Sequence, residues 1–270
     1  MAKGAEASVI SLCQVALKNR LTINSVDVVK GQCIHILGPN GAGKSSLLLV
    51  MAGLLEPDSG QLSLYERPMS SWSLATLAGV RTMLGQHSLS SFQLTVGEYL
   101  SFYSQPVVAK GTSAPHLCAQ PIPPLIEKAL EVKSFLPKVL THLSGGERQR
   151  VEICRTLLQI WPLLEKGEGL VLLDEPLQGL DIRHQYALAN LVNVLCKKGN
   201  TVVMSSHDIS LSANYSNTLW LMHKGALVVQ GLPEEVATQH YLESVFECHF
   251  AISKHDNFLE IQVCAPISLE

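Results

Sequence analysis

GPNGAGKSS, residues 38–46, decides the fold. It matches GxxxxGK[ST] through Gly38, Gly43, Lys44 and Ser45. The apolar run QCIHILG precedes it, and KSSLLLVMAGLL, a helix-forming run, follows. Buried strand, glycine-rich turn and helix, in that order, are the context that turns this pattern into a phosphate-binding loop. The glycines let backbone N–H groups wrap phosphates, Lys44 reaches the β- and γ-phosphates, and the Ser45 hydroxyl serves Mg²⁺. The candidate nucleotide contacts are therefore Gly38, Pro39, Asn40, Gly41, Ala42, Gly43, Lys44, Ser45 and Ser46.

Three further strands end in polar residues. LVLLDE (170–175) is a continuous apolar run that closes on two carboxylates, the pattern of a parallel strand buried on both faces. Asp174, at the strand end, is placed to hold Mg²⁺ through water. Glu175, one step on, can polarise an attacking water as general base. RTMLGQ ends at Gln86, a residue type that binds Mg²⁺ or orients water, and VVMSSHD contains His207. In open α/β sheets such strand ends share the edge where ligands bind.

LSGGERQR (143–150) opens a helix. Ser144 is the N-cap and Glu147 sits at capping-box spacing. Apolar positions Val151, Cys154, Leu158 and Trp161 follow at helical intervals. Gly145 and Gly146 leave the first N–H groups uncovered, which suits an anion. The chain already has a better phosphate loop a hundred residues upstream, so this second anion site needs a different explanation.

The 270 residues carry a net charge of −3 and are 47% hydrophobic. That supports a sizeable core and gives no basic field for nucleic acid. The seven cysteines form no CxxC pair and read as small buried thiols of a reducing compartment. The N-terminus lacks the pattern of a signal peptide, and LLLVMAGLL (47–55) is too short to cross a membrane. Strands alternating with helices imply an α/β core with a parallel sheet. LTVGEYLSFY and LIEKALEV read as helices around an exposed proline-rich loop, 105–124. IRHQYALANLVNVLCKKG reads as an amphipathic helix closed by Gly199, and TLWLMHKGALVVQG as a hairpin around Lys224-Gly225. The tail from 233 reads as a helix and one last strand. No NKxD-type base-reading motif is present, which argues against a GTPase.

GPNGAGKSS, Gln86, LSGGERQR, LVLLDEP, LQGLD and SSHD stand in the order of an ABC transporter ATPase subunit, and the chain resembles that family over essentially its whole length. The resemblance implies a P-loop NTPase core with a mainly parallel sheet, an N-terminal antiparallel β subdomain and a helical subdomain. It implies one ABC ATPase domain over 1–270, with the core at about 1–87 and 144–270 and the helical subdomain at about 88–143. It implies ATP and Mg²⁺ as ligands, Gln86 as the Q-loop residue, Asp181 in the D-loop at the dimer interface, and His207 as the switch histidine holding the γ-phosphate. In this family two copies pack head to tail and each LSGGE motif caps the ATP held by the other copy. Ser144, Gly145, Gly146 and Glu147 would thus act in trans, which answers the question of the second anion site.

The implied partners are a second copy of the chain, two transmembrane permease subunits and, indirectly, a periplasmic substrate-binding protein. The implied place is the cytoplasmic face of a bacterial inner membrane. Within the family the chain is similar to ATPase subunits of vitamin B12 importers, through LLQIWP, LLEKGEGLVLLDEPLQGLD and VVMSSHDISLSAN. Asp174 also follows Ser144 by 30 positions, several more than is usual, and the B12 subunits carry a similar extension. Iron-siderophore and haem importers are the neighbouring alternatives. Soluble ABC proteins acting on nucleic acid or ribosomes usually have two nucleotide domains or a long coiled-coil insertion, and this chain has neither. Two departures stand out. VALKNRLTI lacks the aromatic that usually stacks on adenine, leaving Arg20 as the candidate, and Leu177 replaces the common Thr or Ser. The extension, about Trp161 to Gly169, is expected to be a surface loop.

Overall fold

The computed structural model describes residues 8–85, 93–103, 122–256 and 258–266. In chain order, β1 (Ser8–Leu17) and β2 (Leu21–Val29) form an antiparallel hairpin. Next comes β3 (Cys33–Leu37), buried at every position, and α1 (Lys44–Met51). The helix stops at Met51, short of the expected Leu55, ahead of Gly53 at φ 65°. Strands β4 (Ser59–Leu64) and β5 (Arg67–Pro68) follow, then α2 (Leu74–Val80) and β6 (Arg81–Leu84).

Next among the described residues come the helices α3 (Val96–Ser101), α4 (Pro124–Leu130), α5 (Gly145–Gln159) and α6 (Trp161–Lys166). The chain continues through β7 (Leu170–Leu173), α7 (Ile182–Lys197), β8 (Thr201–Ser205) and α8 (Ile209–Tyr215). The hairpin expected around Lys224-Gly225 is β9 (Thr218–His223) and β10 (Ala226–Gly231). Last are α9 (Pro233–Val236), α10 (Gln239–Phe246), β11 (Cys248–His255) and β12 (Phe258–Pro266).

Ten strands make one sheet in the order β5-β4-β1-β2-β10-β9-β3-β8-β7-β6. The pairs from β9 through β3, β8 and β7 to β6 are all parallel, and β5-β4-β1-β2 is antiparallel. This is the expected α/β architecture. Alternation along β7 shows why its run is continuously apolar. Leu170 and Leu172 pack with α1 and the N-terminal strands, whereas Val171 and Leu173 pack with α5 and α7. A strand covered on both faces, as β7 is, carries apolar side chains until it ends.

Three expectations are corrected. The stretch from Trp161 is not a surface loop but the helix α6, and its Leu164 is fully buried. Asn200, also fully buried, holds it in place. Its Oδ1 accepts from Gly169 N–H at 2.9 Å, and its Nδ2 donates to the carbonyls of Leu164 and Leu195, each at 2.9 Å. Periodicity missed this helix because six residues with a proline at the second position span fewer than two helical turns. The tail holds two helices and two strands, and β11 and β12 form their own antiparallel sheet. Cys33, Cys154 and Cys196 are buried, but Cys13 and Cys264 are exposed. The proline-rich loop lies outside the described residues as far as 121.

Asn200→Ala leaves the Gly169 N–H without a partner and takes one donor each from the Leu164 and Leu195 carbonyls, which keep backbone donors, so it is expected to cost about 2 kcal/mol. A urea titration will show a lower midpoint, with the affinity for a fluorescent ATP analogue unchanged. An unaltered midpoint would mean that α6 is held by its apolar contacts alone.

Candidate functional site

The loop between β3 and α1 folds tightly against the β9–β10 turn. Gly43 has φ 97°, and a Cβ there would lie 3.1 Å from the Arg20 carbonyl oxygen and 3.3 Å from Gly225 Cα. Only glycine meets both the left-handed backbone and the close approach. Lys224 and Gly225 both have positive φ, 46° and 80°, as a tight hairpin turn requires. Gly225 N–H donates to the Ala42 carbonyl at 3.1 Å, and Thr22 N–H donates to the Gly225 carbonyl at 2.8 Å. The β9–β10 turn thereby joins the phosphate loop to β2.

A cleft of 510 Å³ opens here, lined by Asn19, Arg20, Asn40 through Ser46, Glu175, Lys224 and Gly225. Lys44 is only 5% exposed, and its Nζ donates to the Gly38 and Pro39 carbonyls at 2.7 and 3.1 Å. Burial pushes its ammonium below the ordinary lysine value, opposed by the carboxylates of Glu175 and Asp174. Each loop residue named from the sequence either lines the cleft or holds the lysine.

The two carboxylates occupy different environments. Asp174 is buried, and its Oδ1 accepts the Ser205 hydroxyl at 2.7 Å. Glu175 N–H donates to the same Ser205 oxygen at 2.8 Å. Glu175 has φ 49°, an uncommon conformation for a non-glycine. Its Oε1 lies 2.8 Å from Nε2 of His207, which stands on the exposed rim. Lys44, Asp174, Glu175 and His207 thus gather at one edge of the sheet, as expected. Gln86 lies outside the described residues.

The N-terminus of α5 forms as read. Ser144 Oγ accepts from Glu147 N–H at 3.3 Å, and Glu147 Oε2 accepts from Ser144 N–H at 2.8 Å. The two glycines behind the cap differ. A Cβ on Gly146 would strike the Gly179 carbonyl oxygen at 2.8 Å, whereas one on Gly145 would meet nothing within 4 Å. None of the residues that line the phosphate cleft comes from α5. Asp181 does not line it either. It N-caps α7 by accepting from His184 N–H at 2.9 Å.

Sequence reading missed Asn19, Lys224 and Gly225 as cleft residues, and also Gln149, whose Nε2 donates to the Pro176 carbonyl at 3.1 Å. The turn at Lys224-Gly225 was legible as a hairpin, but its place beside the loop follows from β9 pairing with β3, which local sequence does not encode. Leu177 is buried in the core with α5 and α7. No aromatic lines the cleft, so among the described residues Arg20 keeps its candidacy.

A loop of exposed N–H groups with a desolvated lysine, facing two carboxylates across a cleft, is equipment for a P-loop nucleoside triphosphatase. The sequence profile of the ABC transporter family matches residues 21–178. The vitamin B12 import ATP-binding protein of Yersinia pseudotuberculosis is 37% identical over 247 residues, 90% of this chain and 93% of its own. The hemin import ATP-binding protein of Rhodopseudomonas palustris (strain BisB5) is 36% identical over 251 residues, 93% of this chain and 92% of its own. In fold, the chain is similar to an ATP-binding subunit of an ABC transporter, with TM-score 0.68 at 21% identity, covering 87% of this chain and 94% of that one. The chain belongs to the ABC transporter family, and it is an ATPase of that family.

Glu147 gives a pH prediction. Lys138, 2.7 Å away, and the Ser144 N–H hold its carboxyl down to about 2, from an ordinary 4.5. A depressed carboxylate contributes stability that is complete above its unfolded value and lost as pH falls through its folded one. Glu147→Gln is therefore expected to lower the urea midpoint at neutral pH, with the gap closing between pH 4.5 and about 2. A gap that persists unchanged at pH 2 would mean the carboxylate charge plays no part in the cap.

Proposed function

We propose that two copies of this chain close head to tail around two ATP molecules and power a bacterial membrane importer. The observation that carries this reading is the α5 N-terminus. Its cap is satisfied within the chain and Gly146 is filled by Gly179, yet Gly145 faces open space, away from the phosphate cleft. An anion site without a ligand of its own fits a nucleotide supplied by a second copy. Ser144 and Gly145 then approach the γ-phosphate of that copy's ATP, with Gly146 and Glu147 shaping the helix end. Asp181 lies at the same interface.

Within each site, the loop N–H groups and Lys44 hold the β- and γ-phosphates, and Arg20 stacks on adenine. Glu175 takes the proton of the attacking water as the bond between the γ-phosphorus and the bridging oxygen breaks, giving ADP and phosphate. His207, hydrogen-bonded to Glu175, orients that carboxylate and meets the γ-phosphate. Ser45, Gln86 and, through water, Asp174 would hold Mg²⁺. The donor set suits this hard cation: a hydroxyl beside the loop lysine and a carboxylate oriented by Ser205. When bound, the ion supplies charge neutralisation on the phosphate oxygens.

A coupling helix of the permease subunits docks beside the helical subdomain, about residues 88–143, with a periplasmic binding protein on the far side. Among the described residues no helix is long and apolar enough to cross a membrane, so attachment to the inner membrane runs through the permease. A net charge of −3 gives no basic field that would favour nucleic acid as a partner. Vitamin B12 is the first reading of the cargo, supported by the Yersinia relative. Haem is the second, because the Rhodopseudomonas relative is similar to the same degree.

Glu175→Gln is expected to bind ATP and hydrolyse it very slowly, and to shift from monomer to dimer with ATP but not ADP. Adding Ser144→Arg should keep ATP binding while the protein stays monomeric in light scattering. Loss of nucleotide binding in that monomer would sink the shared-site reading. Uptake of cobalamin or haem by cells that lack their own importer ATPase, given this chain and its cognate permease, decides the cargo.

A further inference from the structure

A line of side chains ties α5 to the turn before α7, and the proposed hydrolysis makes no use of it. His184 lies on the first turn of α7, with a side chain only 10% exposed. Its Nδ1 is 2.8 Å from Asp181 Oδ1, the oxygen that also accepts its backbone N–H. Its Nε2 is 2.8 Å from Arg150 Nη1. A guanidinium only donates, so Nε2 must accept and Nδ1–H must donate to the carboxylate. Arg150 is itself held: Nη1 donates to the Leu130 carbonyl at 3.1 Å, and the guanidinium lies 4.6 Å over the Phe135 ring. Glu131 flanks the group, its Oε2 4.0 Å from Arg150 Nη1 and 3.5 Å from His184 Nε2, and Arg183 pairs with its other oxygen.

Asp181 is otherwise 67% exposed. An exposed carboxylate ordinarily samples many rotamers, and here a buried imidazole fixes it. Two more contacts bind the same turn to α5: the close approach of Gly146 to the Gly179 carbonyl, and Gln149 on Pro176. We propose that His184 is a positioning residue for ATP hydrolysis: through Arg150 and Asp181 it fixes the turn of residues 178–181 to α5, so that both present one rigid surface to the second copy's nucleotide. This rests on the shared-site reading given above.

The test is steady-state ATP hydrolysis by the full chain, with ATP binding measured separately. His184→Gln keeps an acceptor for Arg150 but loses the donor to Asp181. His184→Asn keeps a donor for Asp181 but cannot reach Arg150. Each variant is expected to lower kcat about tenfold with KM for ATP changed less than about twofold, as for loss of one charge-assisted hydrogen bond outside the bound nucleotide's own cleft. Arg150→Leu should do the same, and the double variant Arg150→Leu/His184→Gln should fall no further than either single variant, because the residues act as one unit. Glu175→Gln separates the two claims. If that variant hydrolyses at the parental rate, the site reading fails. If it is inactive while both His184 variants keep the parental kcat, or if the losses in the double variant simply multiply, the positioning role is overturned. Loss of ATP binding in the His184 variants would also overturn it, since it would mark general damage.

Discussion

One hydroxyl orders the polar edge of the sheet. Ser205, fully buried at the end of β8, donates to Asp174 and accepts from the backbone of Glu175. A serine can do both at once, whereas an alanine or valine in the same space does neither. Asp174 is a buried carboxylate, and a buried charge without a hydrogen-bond partner is costly. The same contact fixes the backbone where the chain leaves β7, in the left-handed conformation that turns Glu175 toward His207. Because β7 and β8 are parallel neighbours in register, their ends arrive level, and the phosphate loop after β3 arrives beside them.

That arrangement follows from burial. Strands covered on both faces carry mostly apolar side chains along their length, with His35 in β3 an exception, so ionisable groups collect chiefly where the strands end. Lys44 adds a second consequence. Its ammonium is desolvated yet faces two carboxylates, so the cleft contains groups of opposite sign held apart by the fold. The structure keeps them apart by tying the lysine to its own loop and one carboxylate to Ser205.

The sequence was most readable where local chemistry has few solutions. A glycine-rich loop between strand and helix, an apolar run ending in Asp-Glu, and a Ser-x-x-Glu cap each have one physical sense. All three form as read. Legibility failed where a residue's role depends on a distant partner. Lys224 and Gly225 form a plain hairpin turn until β9 is known to lie against β3. Gly146 reads as an open anion contact, but its missing side chain makes room for Gly179, 33 residues away. His184 is one of ten histidines in the sequence, and only the folded chain brings Arg150 of α5 to it. The helix α6 was missed for a different reason: it is short and has a proline at its second position, so it carries little periodic signal.

That asparagine makes two features of the chain inseparable. The additional residues before β7 could have been a loop that varies freely in length. Here their last carbonyl of core depth and the N–H of Gly169 both end on one amide, which also closes the C-terminal turn of α7. The length of one segment and the identity of a residue some 30 positions later are therefore a single heritable unit. A lineage that shortened the segment while keeping Asn200 would bury an amide oxygen with no donor. One that changed Asn200 while keeping the segment would leave the N–H of Gly169 unanswered. Relatives that carry the extension can be expected to carry a side chain at this position able to donate and accept together, and the pair marks descent more firmly than either feature alone.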